Sequence, residues 1–242
     1  MLTICLPEYN EGEVLFEFVD KLNKEFGNAI MVIVDDHSPE QFQYDVKAKY
    51  GNLENFILIF NSQNLGHGQS TLIGLNKAIE TENEIIIAVD GDGQFKTEEI
   101  KKLYQSLVAD DSIEVIEGTR TNRDEEWFRK VISFSTRIMI YIKCGKFPKD
   151  ANTPLRIYRR ETLKSLLSEI PPDSLIPNLH ISSVTRIKKF NFKEVSVQSL
   201  PRGGGLKNEN MKSITWNQKI KNLPSRRLLK FCVRAVVEWI KS

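Results

Sequence analysis

Short runs of apolar residues alternate with longer amphipathic segments along the first half of the chain. The apolar runs lack a polar face, which is typical of strands in a parallel sheet that is covered on both sides. The pattern therefore predicts an α/β fold of the doubly wound type, with a mostly parallel sheet and helices on both faces. Strands are predicted over 2–6, 30–34, 56–60, 85–89 and 113–116, and helices over 14–26, 42–50, 70–79 and 98–108.

The second half of the chain is less regular. It contains a predicted long helix over 123–144, helical segments around 163–167 and 179–187, and a strand over 192–197. Three consecutive glycines, at 203–205, indicate a tight turn or a loop. We divide the sequence into a domain over 1–210 and a C-terminal tail over 211–242.

The tail ends in an amphipathic segment that favours a C-terminal helix. Its charged residues recur at steps of three or four, so they share one helical face: Arg227, Lys230, Arg234, Glu238 and Lys241. A basic amphipathic helix of this kind is typical of a membrane interface. The same pattern also fits a helix that packs on its own domain or on a partner subunit. Both interpretations stay open.

Polar residues with recognisable chemistry follow each of the first four predicted strands. The segments are PEYNEGE, DDHSPE, NSQNLGHG and DGDGQF, in chain order. Parallel strands end at the same edge of a sheet, and ligands of open α/β sheets bind at that edge. The sequence therefore predicts one binding site that these four turns form together.

The acidic turn DGDGQF places two carboxylates around one glycine. Asp90 and Asp92 can face a single divalent cation, which removes their mutual repulsion and bridges phosphate oxygens. Mg²⁺ or Mn²⁺ with a diphosphate fits such a turn. A calcium-binding EF-hand is excluded, because Phe95 and Lys101 stand where glycine and glutamate are needed. A solvated turn without a ligand is the alternative.

Two other turns suggest nucleotide chemistry. Asp36 follows the second strand, where an acid accepts hydrogen bonds from a base or ribose in nucleotide-binding folds. An acid pair at 35–36 also occurs in phospho-acceptor receiver domains, but their other signature residues are not evident here. Gly66 and Gly68 open a helix, so backbone amides can approach a phosphate. We expect His67 to be a positioning or structural residue rather than a metal ligand.

Composition excludes several classes of protein. The 242 residues carry 34 basic and 32 acidic side chains, so net charge gives no argument for nucleic-acid binding. The three cysteines lack a CxxC spacing, which favours a reducing compartment over a disulfide framework or zinc site. No signal peptide and no span of about 20 apolar residues is evident. We expect a cytoplasmic protein. If it contacts the inner face of the cell membrane, we expect that contact to be peripheral.

The four turns, in this order, resemble those of family-2 glycosyltransferases with the GT-A fold. The resemblance extends over about 1–210, and the segments GTR at 118–120 and WFRKVIS at 127–133 resemble the dolichol-phosphate mannose synthase-like branch. It implies transfer of a sugar, with inversion, from a nucleotide diphosphate sugar and with Mg²⁺ or Mn²⁺. The implied acceptor is a polyprenyl phosphate or a glycan, in the synthesis of lipid-linked sugars or cell-envelope glycans.

The resemblance also implies roles for individual residues. PRGGGLK supplies Arg202 and Lys207 as diphosphate clamps, and DANTPLRIYRR supplies Asp150, with Thr153 and Pro154 where Ser-Gly is typical. The metal ligands would be Asp90 and Asp92. The nucleotide-sugar contacts would be Pro7, Tyr9, Glu11, Asp36, Gly66, Asp90 and Gln94, and the acceptor contacts would be Arg120, Arg129 and Ser133.

The implied reaction is a direct displacement at the anomeric carbon. Asp92 holds the metal with help from Asp90, and Arg202 and Lys207 neutralise leaving-group charge. Asp150 is the general base if the acceptor is a hydroxyl, and a positioning residue if it is a phosphate. The alternatives are a nucleotidyltransferase, which usually has a basic glycine-rich loop where PEYNEGE stands, and a non-catalytic nucleotide-sugar-binding module.

Overall fold

The computed structural model describes residues 1–121, 127–200 and 226–242. The strands in these ranges are β1 (Leu2–Glu8), β2 (Ile30–Asp35), β3 (Phe56–Phe60), β4 (Ile85–Ala88), β5 (Val115–Thr121), β6 (Arg156–Arg159) and β7 (Phe192–Gln198). The helices are α1 (Glu13–Glu25), α2 (Glu40–Tyr50), α3 (His67–Glu80), α4 (Thr97–Val108), α5 (Trp127–Cys144), α6 (Arg160–Leu167), α7 (Pro177–Ile187) and α8 (Arg226–Lys241).

The strands form one sheet in the order β3-β2-β1-β4-β6-β5-β7. β1 pairs in parallel with both β2 and β4, and β2 pairs in parallel with β3. β6 runs antiparallel to its neighbours β4 and β5, and β5 pairs in parallel with β7. Helices cover both faces. The predicted doubly wound, mostly parallel α/β fold is confirmed.

Alternation along β1 explains why both faces are covered. Ile4 and Leu6 belong to a core layer shared with α1, α2 and α4. Cys5 points to the opposite face and belongs to the layer shared with α3, α6 and α7. Because side chains alternate across a strand, a strand buried on both faces must be mostly apolar, as β1 is from Leu2 to Leu6 apart from Thr3.

The sequence pattern does not predict β6, and it predicts β5 too early in the chain. β6 has only four residues and begins and ends with arginine, so it gives no strand signal. Arg156 is nevertheless fully buried. Its charge is paired, since its Nε lies 3.3 Å from Oε1 of Glu117 on β5. Arg186 approaches the other oxygen of Glu117 at 2.8 Å. Paired charges of this kind make a buried arginine tolerable.

α8 packs on the domain through one face. Trp239 is buried in a cluster with Ile140, Ala151 and Leu179. The opposite face of the helix is exposed. Within the described ranges, no helix is both long and apolar enough to cross a membrane. One face of α8 therefore packs on the domain, and the opposite face is exposed to solvent.

Candidate functional site

The site lies where the strand order reverses. β1 leads to β2 and β3 on one side and pairs with β4 on the other. In open α/β sheets, ligands bind in the crevice outside the carboxyl ends of strands at such a point. The structure brings the four predicted turns to this one edge, because β1, β2, β3 and β4 are mutually parallel.

Backbone hydrogen bonds attach the acidic turn to the end of β1. Val89 N–H donates to the Cys5 carbonyl at 3.0 Å, and Gly91 N–H donates to the Pro7 carbonyl at 3.1 Å. A side chain at residue 91 would force its neighbours to move, since a Cβ there would lie 2.9 Å from the Glu8 Cβ and 2.8 Å from the Leu15 Cδ1. The glycine between the two acids therefore allows close contact with β1.

The two acids differ in their surroundings. Asp92 is buried, and its Oδ1 accepts a hydrogen bond from the Gln94 N–H at 3.1 Å. Asp90 is partly exposed, and its Oδ1 lies 3.5 Å from Nε2 of His67 at the start of α3. His67, which the sequence predicts to be a positioning or structural residue, therefore lies beside the acidic turn.

Asp36 holds the loop between β3 and α3. Its Oδ1 accepts hydrogen bonds from Leu65 N–H at 2.8 Å and Asn61 Nδ2 at 3.1 Å, and its Oδ2 accepts from Gly66 N–H at 2.9 Å. Gly66 has a φ of 90°, a conformation that favours glycine. Asp36 and Gly66, both predicted nucleotide contacts, are thus in direct contact and shape the same wall of the crevice.

A cavity of about 520 Å³ opens outside the ends of β1, β2 and β3, and Tyr9, His37 and Phe60 are among the residues that line it. The Nδ1–H of His37 donates to the Asn61 carbonyl at 3.3 Å, which fixes the side of the ring that faces the protein. Tyr9 is half exposed here, whereas Pro7 is buried and Glu11 is partly buried in the following turn. Aromatic rings and polar groups suit a planar, polar ligand.

Glu8 and Asp35 form a buried acid pair that sequence analysis missed. They are direct partners in the β1–β2 register, and both are almost completely buried. In the described part of the chain, neither Glu8 oxygen nor Asp35 Oδ2 has a hydrogen-bond partner at normal geometry. Burial, with a further contribution from the Asp35 carboxyl group, raises the pKa of Glu8 to about 10. Glu8 is therefore protonated at neutral pH.

Arg120 and Asp150, both predicted site residues, form an ion pair on the other side of β4. Arg120 on β5 donates from Nε to Asp150 Oδ2 at 2.9 Å and from Nη2 to Asp150 Oδ1 at 3.3 Å. Asp150 is buried. This bidentate contact fixes the orientation of the Asp150 carboxylate. Thr153 and Pro154 stand where Ser-Gly is typical of the family. The Thr153 hydroxyl donates a hydrogen bond to the Gly118 carbonyl.

The remaining predicted residues lie on α5 and beyond β7. Arg129 and Ser133 are on the first two turns of α5, four residues apart and therefore on one helical face. Arg202 and Lys207 lie outside the described residues. The chain leading to them passes the acidic turn, because Leu200 N–H donates to the carbonyl of Gln94 at 2.8 Å.

Comparisons with known proteins agree with this architecture. The family model described as Glycosyl transferase family 2 matches residues 3–167. Glucosyl-3-phosphoglycerate synthase from Mycobacterium tuberculosis, in complex with phosphoglyceric acid, is similar with a TM-score of 0.65 and 13% identity, over 100% of this chain and 79% of that chain. The same synthase with Mn²⁺ and uridine-diphosphate-glucose gives a TM-score of 0.66 and 13% identity, over 100% and 78%.

A third similar structure comes from a different organism. Mannosyltransferase PcManGT from Pyrobaculum calidifontis, in complex with GDP-Man and Mn²⁺, has a TM-score of 0.56 and 19% identity, over 83% of this chain and 56% of that chain. At these identities the structures support the fold. The family match includes β1 to β4, the turns that follow them and the segment with Asp150. The chain therefore belongs to glycosyl transferase family 2, and it is an enzyme of that class.

Proposed function

We propose that this enzyme moves a hexose, with inversion, from a nucleoside diphosphate sugar to a polyprenyl phosphate. The proposed role is in the synthesis of lipid-linked sugars or cell-envelope glycans, as the resemblance to the dolichol-phosphate mannose synthase-like branch implies. The observation that carries the proposal is the Asp90–Asp92 turn, which is fixed to β1 at the point where the strand order reverses. A glycan hydroxyl is the alternative acceptor.

Two neighbouring features suit the two ends of the donor. The cavity beside Tyr9 and His37 would take the base, and the acidic turn would take the diphosphate. β2 and β4 are two strand spacings apart, which is about 10 Å and within reach of a ribose between base and diphosphate. Pro7, Glu11, Asp36, Gly66 and Gln94 would complete the walls of the donor site.

Asp90 and Asp92 also fit a divalent cation. The described residues contain no group of three or more His, Cys, Asp or Glu side chains that could hold a metal. Mg²⁺ is often held by one or two carboxylates together with phosphate oxygens and water, so two acids suffice when a diphosphate is bound. When bound, Mg²⁺ or Mn²⁺ would stabilise negative charge on the leaving diphosphate. The Mn²⁺ complexes of the similar structures support this assignment.

The reaction is a single displacement. An acceptor oxygen forms a bond to the anomeric carbon while the bond from that carbon to the diphosphate oxygen breaks. The nucleoside diphosphate then leaves with the bonding electron pair. Arg202 and Lys207 are proposed to neutralise its charge, because preorganised cations act where charge develops.

The Arg120–Asp150 pair favours the phosphate acceptor. A phosphate is already anionic and needs no base, so an Asp150 held by a guanidinium suits a positioning role. Arg120, Arg129 and Ser133 would bind the acceptor phosphate, as guanidinium groups and a hydroxyl are suited to do. We further propose that α8 contributes peripheral contact with the membrane in which such an acceptor resides.

Transfer by an Asp92→Ala variant tests the proposal. We expect kcat/KM for metal-dependent transfer to fall about a thousandfold, because stabilisation of the leaving diphosphate is lost. Asp45→Ala, at an exposed position on α2, is the matched control and should retain activity. Full activity of Asp92→Ala would refute the proposal. Formation of a nucleotide sugar with release of pyrophosphate would instead identify a nucleotidyltransferase, and donor binding without turnover would identify a binding module.

The acceptor is tested with Arg129→Ala and a panel of a polyprenyl phosphate, a glycan and phosphoglyceric acid. We expect turnover with the polyprenyl phosphate, and about a tenfold to hundredfold loss of kcat/KM in the variant, because a charged hydrogen bond is removed. Arg160→Ala, in an exposed ion pair with Glu161, is the control. Unchanged turnover of Arg129→Ala, or activity with the glycan alone, would favour a hydroxyl acceptor.

A further inference from the structure

α5 presents an apolar stripe to solvent. Trp127, Val131, Phe134, Ile138 and Ile142 recur at steps of three or four, and each is at least 36% exposed. Phe128 and Ile140, on the other side of the helix, are buried against the domain. A helix that packs on a domain through one face normally has a polar outer face. The outer face of α5 departs from that rule.

α8 has a second stripe of the same kind. Leu229, Val233, Val236 and Ile240 recur at steps of three or four and are exposed by 51%, 65%, 43% and 76%. The helix is fixed by its other face, where Trp239 is buried. These side chains therefore face outward because the opposite face of α8 packs on the domain.

The two helices meet at their C-terminal ends. Lys143 Nζ donates to the Ser242 Oγ at 3.2 Å, and the same ammonium group lies 4.7 Å from the centre of the Trp239 ring. The two apolar stripes therefore belong to neighbouring helices. We refer to the outward faces of α5 and α8 as the two-helix surface.

Charge is distributed unevenly between the two-helix surface and the rest of the chain. α5 and α8 together contain nine basic residues and one acidic residue, Glu238. Glu238 accepts hydrogen bonds from Ser174, Leu175 and His180, on the packed side of α8. Subtracting these from the totals of 34 and 32 leaves 25 basic and 31 acidic residues elsewhere. The positive charge is thus concentrated on the two helices that carry the exposed apolar stripes.

We propose that the two-helix surface docks on a lipid bilayer that contains anionic lipids. Apolar side chains would enter the boundary between headgroups and acyl chains, and the lysines and arginines would contact lipid phosphates. A second copy of the chain would bring two positive faces together, which like-charge repulsion opposes. Residues 201–225 carry five basic residues and one acidic residue, so they do not complement the surface either.

This inference extends the proposed function. It rests on that function only in what it implies about how a lipid-linked acceptor reaches the site. Arg129 and Ser133, the proposed acceptor contacts, also lie on α5, about half a turn around the helix from the stripe. Docking through α5 would hold this helix at the level of the headgroups, with these contacts on its opposite side. A phosphate at the end of a lipid chain could then reach the site while its chain stays in the bilayer.

Co-sedimentation of the full chain with vesicles tests the inference. We expect binding to vesicles of phosphatidylcholine and phosphatidylglycerol, much weaker binding to phosphatidylcholine alone, and weakening by salt. Ile142→Asp on α5 and Ile240→Asp on α8 should each reduce the partition coefficient about tenfold. Tyr44→Asp, at a position on α2 that is 68% exposed, is the matched control and should bind like the unaltered chain.

Three results would overturn the inference. They are no binding to phosphatidylglycerol vesicles, binding that neither substitution weakens, and a dimer in sedimentation velocity that Ile142→Asp dissociates. Calorimetry with UDP and GDP in the absence of vesicles tests the proposed function separately. Nucleotide binding without vesicle binding would overturn this inference together with the proposed membrane contact of α8, and would leave the proposed transfer reaction intact. Vesicle binding without nucleotide binding would overturn the proposed transfer reaction and leave this inference intact.

Discussion

At the scale of single residues, Glu8 gives the structure an unusual dependence on pH. Burial beside Asp35 raises its pKa from the ordinary value of 4.5 to about 10. The protonated form is thus favoured in the folded state. Stability from this group is fully present below the unfolded pKa and is lost as pH rises towards the folded pKa.

Glu8→Gln is expected to remove this pH dependence. In the unaltered chain, the free energy of unfolding should fall by up to about 1.4 kcal/mol per pH unit between the two pKa values, whereas an amide does not titrate. The variant should therefore gain relative stability as pH rises from 6 to 9 in urea unfolding. Glu54→Gln, at an exposed position, is the control and should leave the slope unchanged. Parallel curves for Glu8→Gln and the unaltered chain would contradict the assignment.

Gly91→Ala tests how closely the acidic turn contacts β1. The added methyl group would meet Leu15 and Glu8 at less than 3 Å, and we expect a loss of about 1–3 kcal/mol in the free energy of unfolding. Donor affinity should also fall, because the turn must move. Gly27→Ala is the matched control, since its nearest neighbour is 3.8 Å away. Equal stability of the two variants in thermal unfolding would show that the turn is not tightly packed.

Residue pairing is what the sequence could not predict. Arg120 and Asp150 were assigned to the acceptor side by resemblance, but their separation along the chain says nothing about a bidentate contact. Glu8 appeared as one acid of PEYNEGE, and only the strand register places it opposite Asp35. Both pairs depend on long-range packing.

At the scale of elements, the hydrophobic pattern was sufficient where a strand is mostly apolar. β1 to β4 and α1 to α4 were predicted close to their observed positions, and β3 matches its predicted range. β6 was missed because its ends are arginines, whose burial depends on Glu117 in a different strand. The long predicted helix over 123–144 corresponds to α5 from Trp127, and 122–126 lie outside the described residues.

Glu238→Gln tests how α8 is attached to α7. Burial alone would raise the pKa of Glu238, but hydrogen bonds from Ser174, Leu175 and His180 hold it below its ordinary value. The ionised carboxylate thus stabilises the docked helix at neutral pH, and this contribution is lost as pH falls through the lowered pKa. We expect the variant to show faster amide hydrogen exchange across α8 at pH 7.

The control for this prediction is Glu161→Gln, whose carboxylate is exposed and forms an ion pair with Arg160. It should leave exchange in α8 unchanged. If Glu238→Gln also exchanges like the unaltered chain, the attachment of α8 depends on Trp239 and its apolar neighbours rather than on the carboxylate.

At the scale of the whole molecule, the sequence predicted that the four polar turns meet at one edge of the sheet, because parallel strands must end together. The order β3-β2-β1-β4 then brings the base cavity and the acidic turn side by side, and β5 adds Arg120 from beyond β6. Positive charge is concentrated on α5 and α8, so these helices form a second distinct surface of the molecule. The proposed donor site and the proposed membrane-docking surface thus lie on different surfaces of one fold.

The central claim is that Asp90 and Asp92 link a divalent cation to a sugar nucleotide. Isothermal titration calorimetry of UDP-, GDP- and dTDP-sugars, with and without Mn²⁺, tests it most directly. We predict that one of these donors binds with Mn²⁺, that affinity falls at least about tenfold without the metal, and that Asp92→Asn abolishes this difference while Asp45→Asn retains it. Binding that is equally tight with and without Mn²⁺, or no binding of any sugar nucleotide, would contradict the claim.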